Sequence, residues 1–185
     1  MSKRLFSAIE LPASVRQFLQ TLNPSLSGMK WTQPEQMHLT LGFFGNVDTD
    51  REKKLREHLQ RIEFGSFFLH LSGVGSFKSR GAPSVVWIGV GKGHPHLFQL
   101  HKQVSEAALA ANIEPDLRPW HPHITLARCR GVSAQAARKF VRENEKLDAG
   151  MFPVDHFTLY SSRLSSVGSV YNSELVVPSR APRSA

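Results

Sequence analysis

Residues 38–41 read His-Leu-Thr-Leu, and residues 123–126 read His-Ile-Thr-Leu. In a strand, successive side chains turn to opposite faces. Each tetrad then sorts into an aliphatic face, Leu39 and Leu41 or Ile124 and Leu126, and a polar face, His38 and Thr40 or His123 and Thr125. A chain carrying two such strands must bury two aliphatic faces, and it offers two imidazole–hydroxyl pairs to the opposite side. The 185 residues hold nine His and six Thr, so chance places Thr two after His about 0.3 times. One such pair would be noise. The chain has three, at 38/40, 123/125 and 156/158, and the two that carry aliphatic residues both between and after, at 38 and 123, ask for an explanation in function.

The surroundings repeat as well. RLFSAIEL reads as a strand, and Pro12 opens the helix ASVRQFLQTL, whose Val15, Phe18, Leu19 and Leu22 fall at helical spacing. MHLTLGFF is rich in strand formers, and Gly45-Asn46 is expected to close it. Asp48 or Thr49 can cap the charged helix DREKKLREHLQRI. FFLHLSGVGSF and SVVWIGVG are strands about the turn KSRGAP. HPHLFQLHKQVSEAALAANI is an amphipathic helix and HITLARC a strand. SAQAARKFVRENEKL is a helix capped by Ser133, and FPVDHFTLYSSRL and SVYNSELVV close the chain as two strands. The expected order is β-α-β-α-β-β-α-β-α-β-β, an internal duplication of a β-α-β-α-β-type unit. No low-complexity linker divides the halves. Residues 1–185 are expected to form one bilobal domain with a cleft between lobes, and 179–185 a flexible tail.

The formal charge is +8 and the pI about 10.1, which favours an anionic partner, with nucleic acid first. The single cysteine, Cys129, cannot form an intrachain disulfide and is expected to be inert. The N-terminus carries no apolar run of signal-peptide length, and no segment approaches a membrane span. The chain reads as cytoplasmic, with no membrane partner.

Two imidazoles facing one another suit phosphodiester chemistry. A neutral His takes a proton from an attacking water or hydroxyl, and a protonated His gives one to the departing oxygen. Imidazole, with an ordinary pKa near 6.5, supplies both states close to neutral pH. The threonine hydroxyls can donate to non-bridging phosphate oxygens. The scheme needs no metal and no cofactor. Arg128 could pair with phosphate, although strict alternation puts it on the face opposite His123. Phe43 or Phe44 could stack a base, with at least one of them in the core. Trp31 and Trp120 precede the tetrads and suit packing or the rim, and His121 is placed at the cleft edge by Pro122. His-Pro-His occurs at 94–96 and 121–123, and a His-x-His on a strand can chelate a metal. His94 and His96 diverge at a helix entry, and for His121 and His123 a third ligand would need Glu114 or Asp116 to fold back.

Two His-x-Thr-x strands in a duplicated chain resemble the two-histidine phosphoesterase superfamily. RLFSAIELP, HLTLGFFGNV, VVWIGV, RPWHPHITLAR and FTLYSSRL narrow the likeness to the RNA 2′,3′-cyclic phosphodiesterases, or LigT-like 2′-5′ RNA ligases. That resemblance implies an α+β bilobal fold, an antiparallel sheet with helices in each lobe and the site in the groove between. It implies metal-independent opening of RNA 2′,3′-cyclic phosphate ends to 2′-phosphomonoesters, with 2′-5′ ligation as the reverse. His38 would then be the proton donor and His123 the proton acceptor. Thr40 and Thr125 would hold the phosphate. Arg128 matches a basic position of close relatives and Phe43 an aromatic one, while Phe44 departs from the family's Leu. The implied partner is RNA with a cyclic phosphate end, or a small cyclic nucleotide, met by a monomer. The alternatives are a non-catalytic module binding RNA ends and a cyclic phosphodiesterase acting on a non-RNA nucleotide.

Overall fold

The computed structural model describes residues 2–91, 94–114, 116, 118–165 and 168–180. The chain runs β1 (Ser2–Glu10), α1 (Ala13–Thr21), β2 (Met29–Trp31), a 3-10 turn (Pro34–Gln36), β3 (His38–Asp48) and α2 (Thr49–Gln60). It continues with β4 (Phe67–Ser79), β5 (Ala82–Val90), α3 (Pro95–Ala110), β6 (His123–Cys129), α4 (Ala134–Glu143), β7 (Asp148–Val154), β8 (His156–Ser165) and β9 (Gly168–Pro178). The helix starts follow the sequence signals. The Asp48 carboxylate accepts the Arg51 amide at 2.9 Å, and the Ser133 hydroxyl accepts that of Ala136 at 3.4 Å. Arg80 and Gly81, both at positive φ, join β4 to β5 in a two-residue turn.

The fold is α+β, with antiparallel strands in the order β7-β4-β5-β6-β3-β1-β8-β9 and β2 added beside β6. The lobes are β3-β1-β8-β9 and β2-β6-β5-β4-β7. They meet where Leu39 of β3 pairs with Ile124 of β6. Those are the second residues of the two tetrads, so the seam lies on the pseudo-twofold implied by the repeat. The lobes are not the two halves of the sequence. After α2 the chain leaves the first lobe, and β4 pairs with β5 and β7. After α4 and β7 it returns, and β8 pairs with β1. The lobe of β1 and β3 thus takes in β8 and β9 from the end of the chain, while β2 and β4, on either side of β3 in sequence, join the lobe of β6. Helices α2 and α3 back β3, while α4 packs on β4 and β5.

This exchange accounts for the departures from expectation. FPVDHFTLYSSRL is not one strand: it breaks at Asp155, where the chain changes lobes. β2 was not expected, because three residues carry no periodicity and the strand exists only through its pairing with β6. β3 does not stop at Gly45-Asn46. Gly45 takes φ +67°, Phe44 is the extra residue of a bulge, and pairing with β1 continues to Asp48. Ser179 and Arg180, expected to begin a tail, are tied by their amides to the carbonyls of Asp155 and Phe64. Residues 181–185 of that expected tail lie outside the described residues.

The aliphatic faces of both tetrads are fully buried, with Leu39, Leu41, Ile124 and Leu126 all at 0% exposure. At roughly 1.5–3 kcal/mol per buried side chain, these four help hold the lobes at one fixed separation. Among the described residues no helix is long and apolar enough to cross a membrane.

Candidate active site

The polar faces of the tetrads open into one groove of about 650 Å³, lined by His38, Thr40, His123 and Thr125. The two imidazoles are held alike. His38 Nδ1 lies 2.8 Å from the Gln36 carbonyl, and His123 Nδ1 lies 2.6 Å from that of His121. A carbonyl only accepts, so Nδ1 carries the proton and donates, and Nε2 is left for the groove. Each ring is also packed by aromatics. His38 sits 5.0 Å from Phe6 and 5.4 Å from Tyr171. His123 stands edge-on to Phe77 at 4.9 Å.

These walls strip water from the rings. Desolvation lowers the His38 pKa to about 4, aided by the nearby His123. Desolvation also lowers that of His123, with smaller contributions from His121 and Arg128. Both imidazoles are therefore neutral in the free groove at pH 7. Below pH ~6.5 the unfolded chain binds protons that folded His38 refuses, so this enclosure costs stability progressively until the pH reaches about 4.

Arg128 lines the groove beside the histidines, against the expectation from strict alternation. The cause is a bulge. Val86 pairs with Ala127 and Trp87 with Thr125, so Leu126 is an extra residue. Leu126 and Ala127 are both buried, the phase slips by one, and Arg128 turns to the face of His123. The first tetrad does the same. Ser7 pairs with Gly42 and Ala8 with Thr40, leaving Leu41 extra. Phe43, five residues past His38, then turns into the groove at 42% exposure, while Phe44 is in the core. The pseudo-twofold thus offers an aromatic from one lobe and a guanidinium from the other.

Two further residues secure the first bulge. Trp120 Nε1–H donates to the Thr40 carbonyl at 3.2 Å, and His101 Nδ1–H donates to that of Leu41 at 2.7 Å. Their rings stack on each other at 3.8 Å and 5°. They wall a second cavity of about 580 Å³ that shares Thr40, Phe43 and His123 with the groove. His101→Ala is expected to let the bulge relax and to raise KM several-fold more than it lowers kcat. His101→Asn, which keeps a donor, is expected to restore most of the loss. Steady-state kinetics of the two variants check this, and equal losses in both would remove the positioning role.

Sequence reasoning missed His101, Gln36, Tyr171, Phe6 and Phe77. Gln36 supplies the carbonyl for His38, and its side-chain amide donates to the Ser169 carbonyl at 2.6 Å, drawing the β8–β9 hairpin to the groove. No local pattern marks His101, Tyr171, Phe6 and Phe77, since each reaches the site from a strand or helix distant in sequence, and Gln36 lies in the 3-10 turn just before β3, where only the fold shows what its carbonyl meets. Trp31 is buried, edge-on to Phe140, and its edge lines the groove. His121 lies in the loop before β6, 4.6 Å from Trp87. His94 stands at the N-cap of α3, and His96 stacks on Phe67, so that pair does diverge. Asp116 is paired with Arg118 at 2.5 Å, and among the described residues no group of three or more His, Cys, Asp or Glu could hold a metal. Burial raises the pKa of Cys129, away from a reactive thiolate.

Known proteins resemble this chain in sequence and in fold. The sequence model of LigT like phosphoesterases matches twice in tandem, over residues 9–87 and 88–171, which is the duplication read from the tetrads. An RNA 2′,3′-cyclic phosphodiesterase of Archaeoglobus fulgidus is 32% identical over 171 residues, covering 91% of this chain and 96% of that one. One of Escherichia coli is 36% identical over 131 residues, covering 68% and 72%. The crystal structure of E. coli LigT complexed with 3′-AMP superposes with a TM-score of 0.81 at 28% identity, covering 98% of this chain and all of that one. With a family match over both tandem units and a shared fold over nearly the whole chain, the chain belongs to the LigT-like phosphoesterases.

Proposed function

We propose that this phosphoesterase hydrolyses RNA 2′,3′-cyclic phosphate ends to 2′-phosphomonoesters by acid–base catalysis with two histidines. The observation that carries the mechanism is the matched pair of imidazoles, each tied through Nδ1 to a carbonyl two residues earlier and each leaving Nε2 for the groove. The substrate class follows the names of the A. fulgidus and E. coli relatives. In the proposed step, His123 takes a proton from water as its oxygen bonds to phosphorus. The bond from phosphorus to the 3′ oxygen breaks, and His38 gives that oxygen its proton. Thr40, Thr125 and Arg128 receive the charge on the non-bridging oxygens. Phe43 stacks a base. Ligation to a 2′-5′ linkage runs the same steps with a 5′ hydroxyl in place of water: its oxygen bonds to phosphorus, His123 takes its proton, and the bond to the 3′ oxygen breaks.

The free groove sets a condition on this scheme. His38 must be protonated to act as the acid, yet its burial favours the neutral ring. The cyclic phosphate supplies the missing counter-charge, so binding draws in a proton. Free-enzyme kcat/KM is accordingly expected to follow a bell centred below pH 6.5, because both imidazole pKa values are lowered. The kcat bell, set in the complex, is expected at higher pH. Initial rates with a dinucleotide cyclic phosphate between pH 4 and 9 check this, and a kcat/KM maximum above pH 7 contradicts it.

The activity itself is tested by incubating the protein with a short RNA ending in a 2′,3′-cyclic phosphate in EDTA and following the products by ³¹P NMR. A 2′-phosphomonoester supports the whole reading. A 3′-phosphomonoester keeps the two-histidine mechanism but reverses which oxygen leaves. Binding without turnover, with or without added metal, points to an RNA-end-binding module.

A further inference from the structure

The groove holds more positive charge than one phosphate requires. Lys30 of β2 is the register partner of Arg128 of β6. Beyond the strand end, the Arg130 amide donates to the Gly28 carbonyl at 2.7 Å, extending the ladder. Cross-strand partners share a face, and so do alternate residues of one strand. Lys30, Arg128 and Arg130 accordingly project together, and all three line the groove. Arg4 joins them from β1, its guanidinium 5.0 Å from the Phe43 ring centre. Among the described residues none of these four is in an ion pair, and no Asp or Glu lines this groove. Like charges set directly opposite across strands are destabilising. The ribbon holds its cations together against their own repulsion, an arrangement that an anion relieves.

The neighbouring cavity has the opposite character. Its walls are Phe44, Phe77, Trp120 and His101, with Glu114 and the Asp116–Arg118 pair at its edge. A polyanion is favoured on the β2–β6 side and an uncharged ring on the other.

We infer that Lys30 and Arg130 form a second phosphate subsite, which holds the phosphodiester immediately 5′ of the terminal cyclic nucleotide. The inference rests on the proposed activity and sharpens it, because the substrate is then an RNA chain rather than a mononucleotide. The cyclic phosphate lies between the histidines with Arg128, and the chain leaves across the β2–β6 ribbon. The terminal base lies toward Phe43 and the aromatic cavity. Lys30 and Arg130 act in binding and take no part in proton transfer.

The test compares a nucleoside 2′,3′-cyclic phosphate with a trinucleotide bearing the same end, for the wild type and for Lys30→Ala/Arg130→Ala. The wild type is expected to favour the trinucleotide by about 10-fold or more in kcat/KM, as one charge-assisted contact provides. The double variant is expected to bring that ratio close to one and to flatten the salt dependence for the trinucleotide. Lys30→Arg is expected to keep the ratio. Equal kcat/KM for both substrates in the wild type, or an unchanged ratio in the double variant, overturns the subsite while leaving the phosphodiesterase reading intact. If neither substrate is hydrolysed, that reading fails instead. The subsite is then read from binding of a nucleoside 2′-phosphate against a trinucleotide ending in a 2′-phosphate, with the same ratios expected. A circular dichroism melt shows whether the double variant is folded, and Lys30→Glu alone gives the same readout with one change if it is not.

Discussion

Replacing either His38 or His123 by alanine is expected to lower turnover of a cyclic phosphate end by ~10²–10⁴-fold, the range of a single acid or base contribution. The fold should survive, because neither ring supplies a strand hydrogen bond and both face the groove. His38→Ala is expected to remove a desolvated group, so the melting temperature near pH 5 should hold or rise. The double variant should lose far less than the product of the single losses, since the two residues act as one unit. Thr40→Ala and Thr125→Ala are expected to cost less, as water can take the place of a hydroxyl. Single-turnover rates on one substrate, with melts beside them, decide the matter. Near-normal rates in either histidine variant would reject the proposed roles.

The second large effect concerns the other face of the same tetrad. Leu39 is fully buried and pairs with Ile124 at the seam between lobes. Leu39→Ala is expected to cost about 2–5 kcal/mol of stability, the range for a leucine truncated in a packed core. Ile124→Ala should behave alike. Few backbone pairs join the lobes at this point, so packing carries much of their separation, and that separation sets the distance between the imidazoles. Activity is therefore expected to fall even under conditions where the variant remains folded. Urea unfolding gives the first effect and kcat at low temperature the second. A stability loss below 1 kcal/mol would mean that the seam is held by contacts elsewhere.

Much of the site was legible in the sequence because it rests on a period-2 rule acting over a few residues. His38 with Thr40, and His123 with Thr125, share a face whatever the rest of the chain does. The helix caps at Asp48 and Ser133 and the hairpin turn before Ala82 are equally local matters, whereas which of Phe43 and Phe44 enters the core was set by the bulges of β3 against β1. The duplication, read from two tetrads, reappears in the tandem family match.

The rest was decided by pairing between distant segments. Arg128 reaches the groove only because Leu126 is bulged against β5, and the sequence of β6 alone does not encode that slip. The exchange of β4 and β8 between lobes follows from which edge each strand finds after its helix, so the sequence halves do not become the lobes. His101 and Trp120 acquire their role because the bulge in β3 exposes two carbonyls beneath a helix and a loop far along the chain. Lys30 lies opposite Arg128 because a three-residue strand with no pattern of its own adds to β6. The sequence by itself determined the two imidazole–hydroxyl faces and the units that carry them, since alternation and capping are local. Only the tertiary structure decided which charges and rings surround those faces, because register and bulges exist only between strands.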